Sequence, residues 1–238
     1  MRVALKISYN GTHFFGSQTQ KETPHTILGN IEQVLKQLGI DASLVASGRT
    51  DKGVHALGQV CHLDIPEFWQ DLVKFRHTLN KMLPSSIYIK KVHTVSSDFH
   101  ARYSAKRRTY RYLIKKGDSN PFESDFVTFL EDIDFKNIQE NMKLFMGKHD
   151  FKNFMKQGSD INSSTRIIHR AFAYKHKDYT VLNFQANGFL RSQIRLMVGA
   201  LLNLNATQLQ EKLELKHNHK VKPAPPNGLY LSVIHYIK

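Results

Sequence analysis

The sequence predicts an α+β protein with two ferredoxin-like halves, similar to RNA-recognition-motif (RRM) domains, which form a mainly antiparallel central sheet with helices packed on one side. Two observations predict this class. Segments of alternating apolar and polar residues, typical of half-buried strands, recur between segments with helical spacing of apolar residues. In each half their order is close to strand, helix, strand, strand, helix, strand. We place the division so that the halves are residues 1–104 and 105–238, with the functional cleft between them.

The first half follows this order closely. Its opening segment, VALKISY (3–9), has apolar residues at alternate positions and therefore predicts a strand. Apolar residues at helical spacing predict a helix near 24–38, which Gly39 ends, and a second helix near 67–82. Further strands are predicted near 43–48, 58–65 and 86–95.

The second half repeats the order loosely, without convincing sequence identity to the first. Apolar residues at helical spacing predict helices near 134–146, 189–203 and 207–215. Strands are predicted near 107–116, 125–130, 166–176, 179–186 and 229–237. The proline-rich stretch HNHKVKPAPPNG (217–228) predicts a loop within this half.

The charge balance indicates a polyanionic partner. The chain has 34 Lys and Arg against 20 Asp and Glu, a formal net charge of +14, and such an excess is typical of proteins that bind nucleic acid. HARYSAKRRTYRY (100–112) interleaves five Arg or Lys with three tyrosines. Basic and aromatic side chains in this mixture bind phosphates and stack on bases. The alternatives are a charge that serves solubility alone and a genome-wide bias toward lysine.

Several classes of protein lack their signatures here. No apolar run approaches the roughly 18 residues of a membrane helix, and the N-terminus has no secretory signal, so no membrane partner is expected. One cysteine cannot form an internal disulfide, which favours a cytoplasmic location. Cys61 lies in the alternating run QVCHLDI and is expected to be a buried core thiol.

Cofactor signatures are absent as well. The sequence has no GxGxxG motif, no P-loop and no CxxC motif, and its 13 histidines are scattered without metal-ligand spacing. We therefore expect no metal, no organic cofactor and no small-molecule cosubstrate.

Asp51, in the loop ASGRTDKGVHA (46–56), is the main candidate for chemistry. An aspartate in a glycine-containing loop commonly forms a turn by bonding its own backbone, and this residue alone would favour that interpretation. Its neighbours favour a functional one. Arg49 would keep the carboxylate ionised, and Gly48 and Gly53 would let a ligand approach the backbone.

A second candidate segment is NGFLRSQIRLMVG (187–199). It places Arg191 and Arg195 four residues apart, which predicts one face of an otherwise apolar helix. An arginine that faces inward from such a helix needs a buried anion, and Asp51 is a candidate for that anion.

Taken together, these motifs resemble the A-type tRNA pseudouridine synthases, and the resemblance runs nearly end to end. The N-terminal YNGTHFFGSQ resembles the opening motif of the family, and GRTDKGVHA resembles its catalytic motif. The other resembling segments, in order, are DFHARYSA (98–105), TYRY (109–112), HDFKNF (149–154), FLRSQIRLMVG (189–199) and GLYL (228–231).

The resemblance implies an isomerase that converts uridine to pseudouridine in the anticodon stem-loop of tRNA, at tRNA positions 38, 39 and 40, without metal or organic cofactor. It implies Asp51 as the catalytic nucleophile, Tyr110 as the ring that lies on the target uracil, and Arg195 as the partner of the aspartate, all three in a catalytic cleft between the halves. It also implies a homodimer that shares one tRNA and contacts its anticodon stem-loop and elbow. The candidate substrate-binding residues are Arg49, Tyr110, Arg102, Lys106, Arg107, Arg108 and Arg191.

An alternative function is a catalytically silent RNA-binding protein with two RRM-like halves. Such a protein would use exposed aromatic residues on its sheets and would not need Asp51. A methyltransferase is a weaker alternative, because no cofactor loop is present.

Three positions depart from the motifs of the family. Ser17 stands where tryptophan is usual, Asn10 where aspartate is usual, and Lys52 where a small residue is usual. The loss of a large ring at Ser17 is expected to change packing or tRNA contact near the first strand. None of these departures touches Asp51, Tyr110 or Arg195.

Overall fold

A computed structural model describes residues 1–158 and 161–236 of the chain. These residues form two compact units. The first contains residues 1–106 and the closing segment from Tyr230, and the second contains residues 107–229. The sequence-based division had instead placed the whole closing strand in the second half.

The elements of the first unit follow the predicted order. They are β1 (Arg2–Tyr9), α1 (Ile27–Gln37), β2 (Val45–Ala46), β3 (His55–Asp64), α2 (Leu72–Met82) and β4 (Ile87–Thr94). Strand β1 pairs antiparallel with both β3 and β4, and β2 pairs antiparallel with β3. The resulting order, β4-β1-β3-β2, is that of a ferredoxin-like sheet.

The second unit continues the chain from within a long strand. Its elements are β5 (Ala105–Lys116), β6 (Thr128–Leu130), α3 (Phe135–Asn141), β7 (Gly147–Asp150), β8 (Thr165–His176), β9 (Tyr179–Ala186), α4 (Gln193–Asn203) and α5 (Ala206–Leu213), and the chain closes with β10 (Leu229–Tyr236). Strand β9 pairs antiparallel with β5 and β8, β7 pairs antiparallel with β8, and β6 is parallel to β5. The predicted α+β class with mainly antiparallel strands is confirmed.

The closing strand pairs with a strand of the first unit. Tyr230 and Leu231 of β10 are in parallel register with His55 and Ala56 of β3. The ring of Tyr230 also stacks on that of His55, with 4.7 Å between centroids. The strand therefore covers the beginning of β3, directly after the Asp51 loop.

Two predicted helices begin later than expected because a capping residue fixes each start. The side chain of Thr26 accepts a hydrogen bond from the backbone N–H of Gly29, so α1 begins at Ile27. Asp71 caps Val73 and Lys74 in the same way, and α2 begins after it. The residues just before this cap, Glu67–Trp69, form a separate 3₁₀ turn.

The core of the first unit is built from the predicted apolar faces. Leu5, Ile7, Ile31 and Leu35 are fully buried in the first unit. Cys61 is also fully buried, and burial raises the pKa of its thiol, so the expected core thiol is confirmed. Among the described residues, no helix combines the length and hydropathy needed to cross a membrane.

Candidate active site

Asp51 lies half-buried in the loop between β2 and β3. The backbone N–H of Val54 donates to the backbone oxygen of Asp51 at 3.1 Å, which closes a turn. Gly53 has a φ of 77°, a left-handed conformation that glycine adopts without strain. Because the bond that closes this turn joins backbone atoms, the turn explains Gly53 and does not by itself explain a carboxylate at position 51.

Space is available beside the loop at Gly48. A Cβ atom added there would meet no other atom within 4 Å. The predicted close approach of a ligand to this part of the backbone is therefore sterically possible.

The beginning of the loop is fixed by Gln59, a buried residue of β3. Ser47 Oγ donates to Gln59 Oε1 at 2.6 Å, and Gln59 Nε2 donates to the backbone oxygen of Gly48 at 2.8 Å. The amide of Gln59 thus uses both its acceptor and its donor to hold two consecutive residues of the loop.

Thr50, the residue before Asp51, is held at three atoms. Its backbone N–H donates to Ser17 Oγ at 2.9 Å, and its backbone oxygen accepts from the N–H of Ser17 at 3.1 Å. Its hydroxyl lies 2.8 Å from that of Tyr9. Ser17, singled out in the sequence as a departure from the family motif, is therefore part of the support of the Asp51 loop.

The two cations beside Asp51 are exposed. Lys52 places its Nζ atom 4.2 Å from the centroid of the Phe15 ring, within the range of a cation–π interaction. Arg49 is solvated, so its expected influence on Asp51 stays a prediction.

In the second unit, Tyr110 lies on β5 opposite Phe184 of β9. Its residue surface is only 8% exposed. The rings of Tyr110 and Phe189 pack edge to face, with 5.3 Å between their centroids. The contact with Phe189 restricts the orientation of the Tyr110 ring.

Arg195 lies half-buried in the first turn of α4 and is tied to the proline-rich loop. Its Nε atom donates to the backbone oxygen of Ala224 at 2.7 Å, and the N–H of Ala224 donates back to the oxygen of Arg195 at 2.9 Å. The loop can approach this closely because Gly199 has no side chain: a Cβ atom there would lie 2.2 Å from the oxygen of Lys222.

Tyr112 lies two residues beyond Tyr110 on the same strand and supports this loop. Its hydroxyl donates to the oxygen of Pro225 at 2.9 Å and lies 2.7 Å from the hydroxyl of Thr128. Burial raises the pKa of Tyr112 to about 12, while the charge of Arg195 acts in the opposite direction. Tyr112 therefore remains a neutral hydrogen-bond donor at physiological pH.

The prediction that Arg191 and Arg195 share one face of a helix is wrong. Helix α4 begins at Gln193, because Ser192 adopts a left-handed φ of 58° and interrupts the helical conformation before it. Arg191 precedes the helix and its side chain is exposed. Of these two arginines, only Arg195 is positioned by a helix.

The predicted phosphate-binding residues are accessible to different extents. Arg102, Lys106 and Arg107 are exposed. Arg108 is half-buried, and its Nη1 atom donates to the backbone oxygen of Asn187 at 2.8 Å. The first three side chains are the better placed to reach a polyanion.

Tyr103 adds an aromatic surface that the sequence did not single out as a site. It is 73% exposed and stacks on His100, with 4.3 Å between ring centroids. The His100 ring is fixed, since its Nδ1 atom accepts from the N–H groups of Arg102 and Tyr103, each at 3.2 Å. The interleaved aromatic residues of segment 100–112 were the only signal for this stack.

Within the ranges 1–158 and 161–236, no group of three or more His, Cys, Asp or Glu residues could hold a metal ion.

Comparison with known proteins gives one consistent family. A family model described as tRNA pseudouridine synthase matches residues 6–104 and 142–236. The protein named tRNA pseudouridine synthase A in Wolinella succinogenes is 40% identical over 235 residues, covering 97% of this chain and 92% of that protein. The protein of the same name in Campylobacter jejuni strain RM1221 is 38% identical over 243 residues, covering 99% of this chain and 100% of that protein. A third relative of the same name, in Limosilactobacillus reuteri, is 36% identical over 248 residues, covering 99% and 96%.

Among solved structures, the crystal structure of a Cbf5-Nop10-Gar1 complex is similar, with a TM-score of 0.37 and 12% identity over 82% of this chain and 43% of that chain. This likeness is too weak to support an inference. The family match and the nearly full-length relatives show that this chain belongs to the tRNA pseudouridine synthase family.

Proposed function

We propose that this protein isomerises uridine to pseudouridine in the anticodon stem-loop of tRNA, at tRNA positions 38, 39 and 40. Its family membership makes it an isomerase that acts on tRNA uridine. The observation that carries the site-level proposal is the support of the Asp51 loop. Gln59 holds the backbone of Gly48 and Ser17 holds that of Thr50, while Asp51 itself is half-buried.

Asp51 is the proposed catalytic nucleophile. Pseudouridine formation breaks the bond between C1′ and N1, turns the uracil and joins C1′ to C5. A carboxylate suits this sequence because it can attack C1′, attack the base or remove a ribose proton, and then leave again. Each of these roles needs a carboxylate held at a fixed place, which agrees with the bracing of Thr50.

Arg195 and Tyr110 are the proposed partners of Asp51 in the reaction. A guanidinium offsets the cost of removing a carboxylate from water, which a closed site around a detached uracil requires. The hydrogen bond from Arg195 Nε to Ala224 restricts the orientation of the guanidinium. Tyr110 would hold the uracil with its ring and accept or relay the proton that leaves C5.

The basic segment 100–112 is the proposed docking surface for tRNA. The target nucleotide must leave its stack, which costs a few kcal/mol, and phosphate contacts repay that cost. Arg102, Lys106 and Arg107 would supply contacts to phosphates, with smaller contributions from Arg49, Arg108 and Arg191. The exposed Tyr103 would offer a face for an unpaired base.

We further propose that the active form is a cytoplasmic homodimer that contacts both the anticodon stem-loop and the elbow of one tRNA. The motif resemblance supports the dimer, and the buried, unpaired thiol of Cys61 is compatible with a reducing compartment. Light scattering of the active protein at its working concentration tests this assembly. A fully active monomer would contradict it.

One experiment separates the isomerase from a silent RNA-binding protein. Purified protein is incubated with tRNA that carries tritium at uracil C5, without any added cofactor. We expect release of tritium to water, because rejoining C1′ at C5 expels the C5 hydrogen. Binding of tRNA without release would instead support the silent module.

A further inference from the structure

The contacts of Thr50 converge on the residue that precedes the proposed nucleophile. Ser17 accepts a hydrogen bond from its N–H and donates one to its oxygen, and Tyr9 bonds its hydroxyl. Ser17 is 1% exposed and Thr50 is 7% exposed, so water does not compete effectively for these groups. Thr50 therefore has little freedom to move relative to the segment from Tyr9 to Ser17.

That segment is itself anchored. The backbone oxygen of Ser17 accepts from the N–H of Leu28 in α1 at 2.9 Å. Gly16 has a φ of 97°, and a Cβ atom there would lie 2.9 Å from the oxygen of Thr50. The chain thus passes close to Thr50 in a conformation that favours glycine, and this brings Ser17 within hydrogen-bonding distance.

We infer that Ser17 is a positioning residue for the reaction. Its hydroxyl fixes the backbone N–H of Thr50 and thereby the direction in which the next residue, Asp51, presents its carboxylate. Tyr9 acts as the second support through the Thr50 hydroxyl. This inference rests on the proposed role of Asp51 as the nucleophile.

The chemistry of the side chain at position 17 decides whether this support exists. A serine hydroxyl can accept a hydrogen bond from a backbone N–H, whereas the methyl group of alanine cannot. The hydrogen bond from the Thr50 N–H to the side chain at position 17 therefore requires an acceptor group at that position.

Loss of this bond should reduce the rate of the chemical step rather than the affinity for tRNA. Displacement of a reacting group by about 1 Å can cost roughly 100-fold in rate. Neither Ser17 nor Tyr9 is exposed, so neither offers a surface to the substrate. We expect Ser17→Ala to lower kcat by about 10- to 100-fold while KM for tRNA stays within about twofold.

The experiment measures kcat and KM by tritium release, at a temperature well below the melting temperature of every variant. Ser232→Ala is the matched control, because it also removes a buried serine hydroxyl of the first unit, but one without a hydrogen-bond partner among the described residues. It should retain parental kcat. Tyr9→Phe removes only the second support and should also lower kcat, and it tests the idea if Ser17→Ala does not fold.

The two supports should also be coupled. If both act through Thr50, the kcat of the double variant, Ser17→Ala with Tyr9→Phe, should fall by less than the product of the two single fold-decreases in kcat. A folded Ser17→Ala protein with parental kcat, or with a raised KM and parental kcat, would overturn the inference. A fully folded parent protein that releases no tritium would overturn the proposed function itself, which keeps the two failures apart.

Discussion

The Nδ1 atom of His62 accepts a hydrogen bond from the backbone N–H of Ala101 at 3.1 Å. Nδ1 can accept only while it carries no proton. Burial lowers the pKa of His62, and electrostatic interactions with His100 and with the guanidinium of Arg2 lower it further. The neutral imidazole therefore secures segment 99–103 to strand β3.

We predict that the free energy of unfolding decreases as the pH falls from about 7.5 to about 5. In the unfolded chain His62 gains its proton near the ordinary pKa of 6.5, whereas the folded protein resists protonation until a lower pH. The unfolded state thus binds more protons in this window, and acidification favours it. Urea unfolding at a series of pH values measures the effect.

His62→Asn isolates the contribution of this side chain, since the amide oxygen of Asn can still accept a hydrogen bond but does not titrate. Its stability should fall less steeply with acidification. The control is His176→Asn, an exposed histidine of β8, which should retain the parental slope. Equal slopes for the parent and His62→Asn would contradict the prediction.

The fold could be predicted well where the residues of an element are buried. Strand β9 was predicted at 179–186 and lies at Tyr179–Ala186, because its apolar pattern reflects real burial. Strand β7, Gly147–Asp150, was not predicted, since its four residues GKHD carry no apolar pattern and their conformation comes from pairing with β8. Local propensity contains no information about such a partner.

The candidate site divides in the same way. The motif positions Asp51, Tyr110 and Arg195 could be named from the sequence, because each lies in a recognisable run. The bond from Thr50 to Ser17 could not, because it joins residues 33 positions apart and depends on the path of the chain between them. The wrong placement of Arg191 has a local cause, the left-handed backbone of Ser192, which the spacing of apolar residues does not show.

The affinity for tRNA should fall steeply with salt. Each phosphate contact releases counterions, which gives a log–log slope of about −0.7 per contact for single strands and about −0.9 for duplex. Arg107→Ala should reduce the magnitude of this slope by the contribution of about one phosphate contact. Lys143 is an exposed cation outside segment 100–112, and Lys143→Ala should leave the slope unchanged. Filter binding between low and physiological salt measures the slopes. A flat response of the parent would rule out a basic docking surface.

Tyr103→Ala should weaken tRNA binding by roughly 5- to 100-fold, the usual contribution of one stacked base. Tyr103→Phe should bind like the parent, because the ring that stacks on His100 is kept. Phe122→Ala is the control for loss of an exposed aromatic side chain, at 89% exposure. Parental affinity of Tyr103→Ala would exclude a stacking role for this surface.

Tyr110→Phe should bind tRNA normally. If the hydroxyl assists removal of the C5 proton, its turnover rate should be lower than that of the parent by roughly 100-fold or more. The phenylalanine ring would keep the contact with Phe189, so the substitution should remove the hydroxyl without disturbing the packing of the ring. Tyr88→Phe, which removes an exposed phenol hydroxyl on β4, should have parental activity. Single-turnover tritium release compares the three proteins. Equal rates for Tyr110→Phe and the parent would reduce Tyr110 to a stacking role.

Asp51→Asn is the most direct test of the proposed chemistry. The substitution preserves the size of the side chain and its ability to bond the backbone of a turn, and it removes the charge and nearly all nucleophilicity. The backbone turn from Val54 to Asp51 and the supports of Thr50 do not involve the carboxylate, so the loop should keep its shape. Turnover should fall by several orders of magnitude while the protein remains folded.

Two further measurements on Asp51→Asn separate a catalytic role from a structural one. Affinity for tRNA should hold or increase, because a negative charge that faces a polyanion is gone. The melting temperature should fall if Arg195 loses its proposed partner, since an unpaired, partly buried charge is unfavourable. Asp41→Asn, which removes an exposed carboxylate of the same unit, is the control and should match the parent in rate, affinity and melting temperature. A well-folded Asp51→Asn protein that forms pseudouridine at a near-parental rate would exclude Asp51 as the nucleophile, because an amide cannot replace a carboxylate in any of the proposed roles.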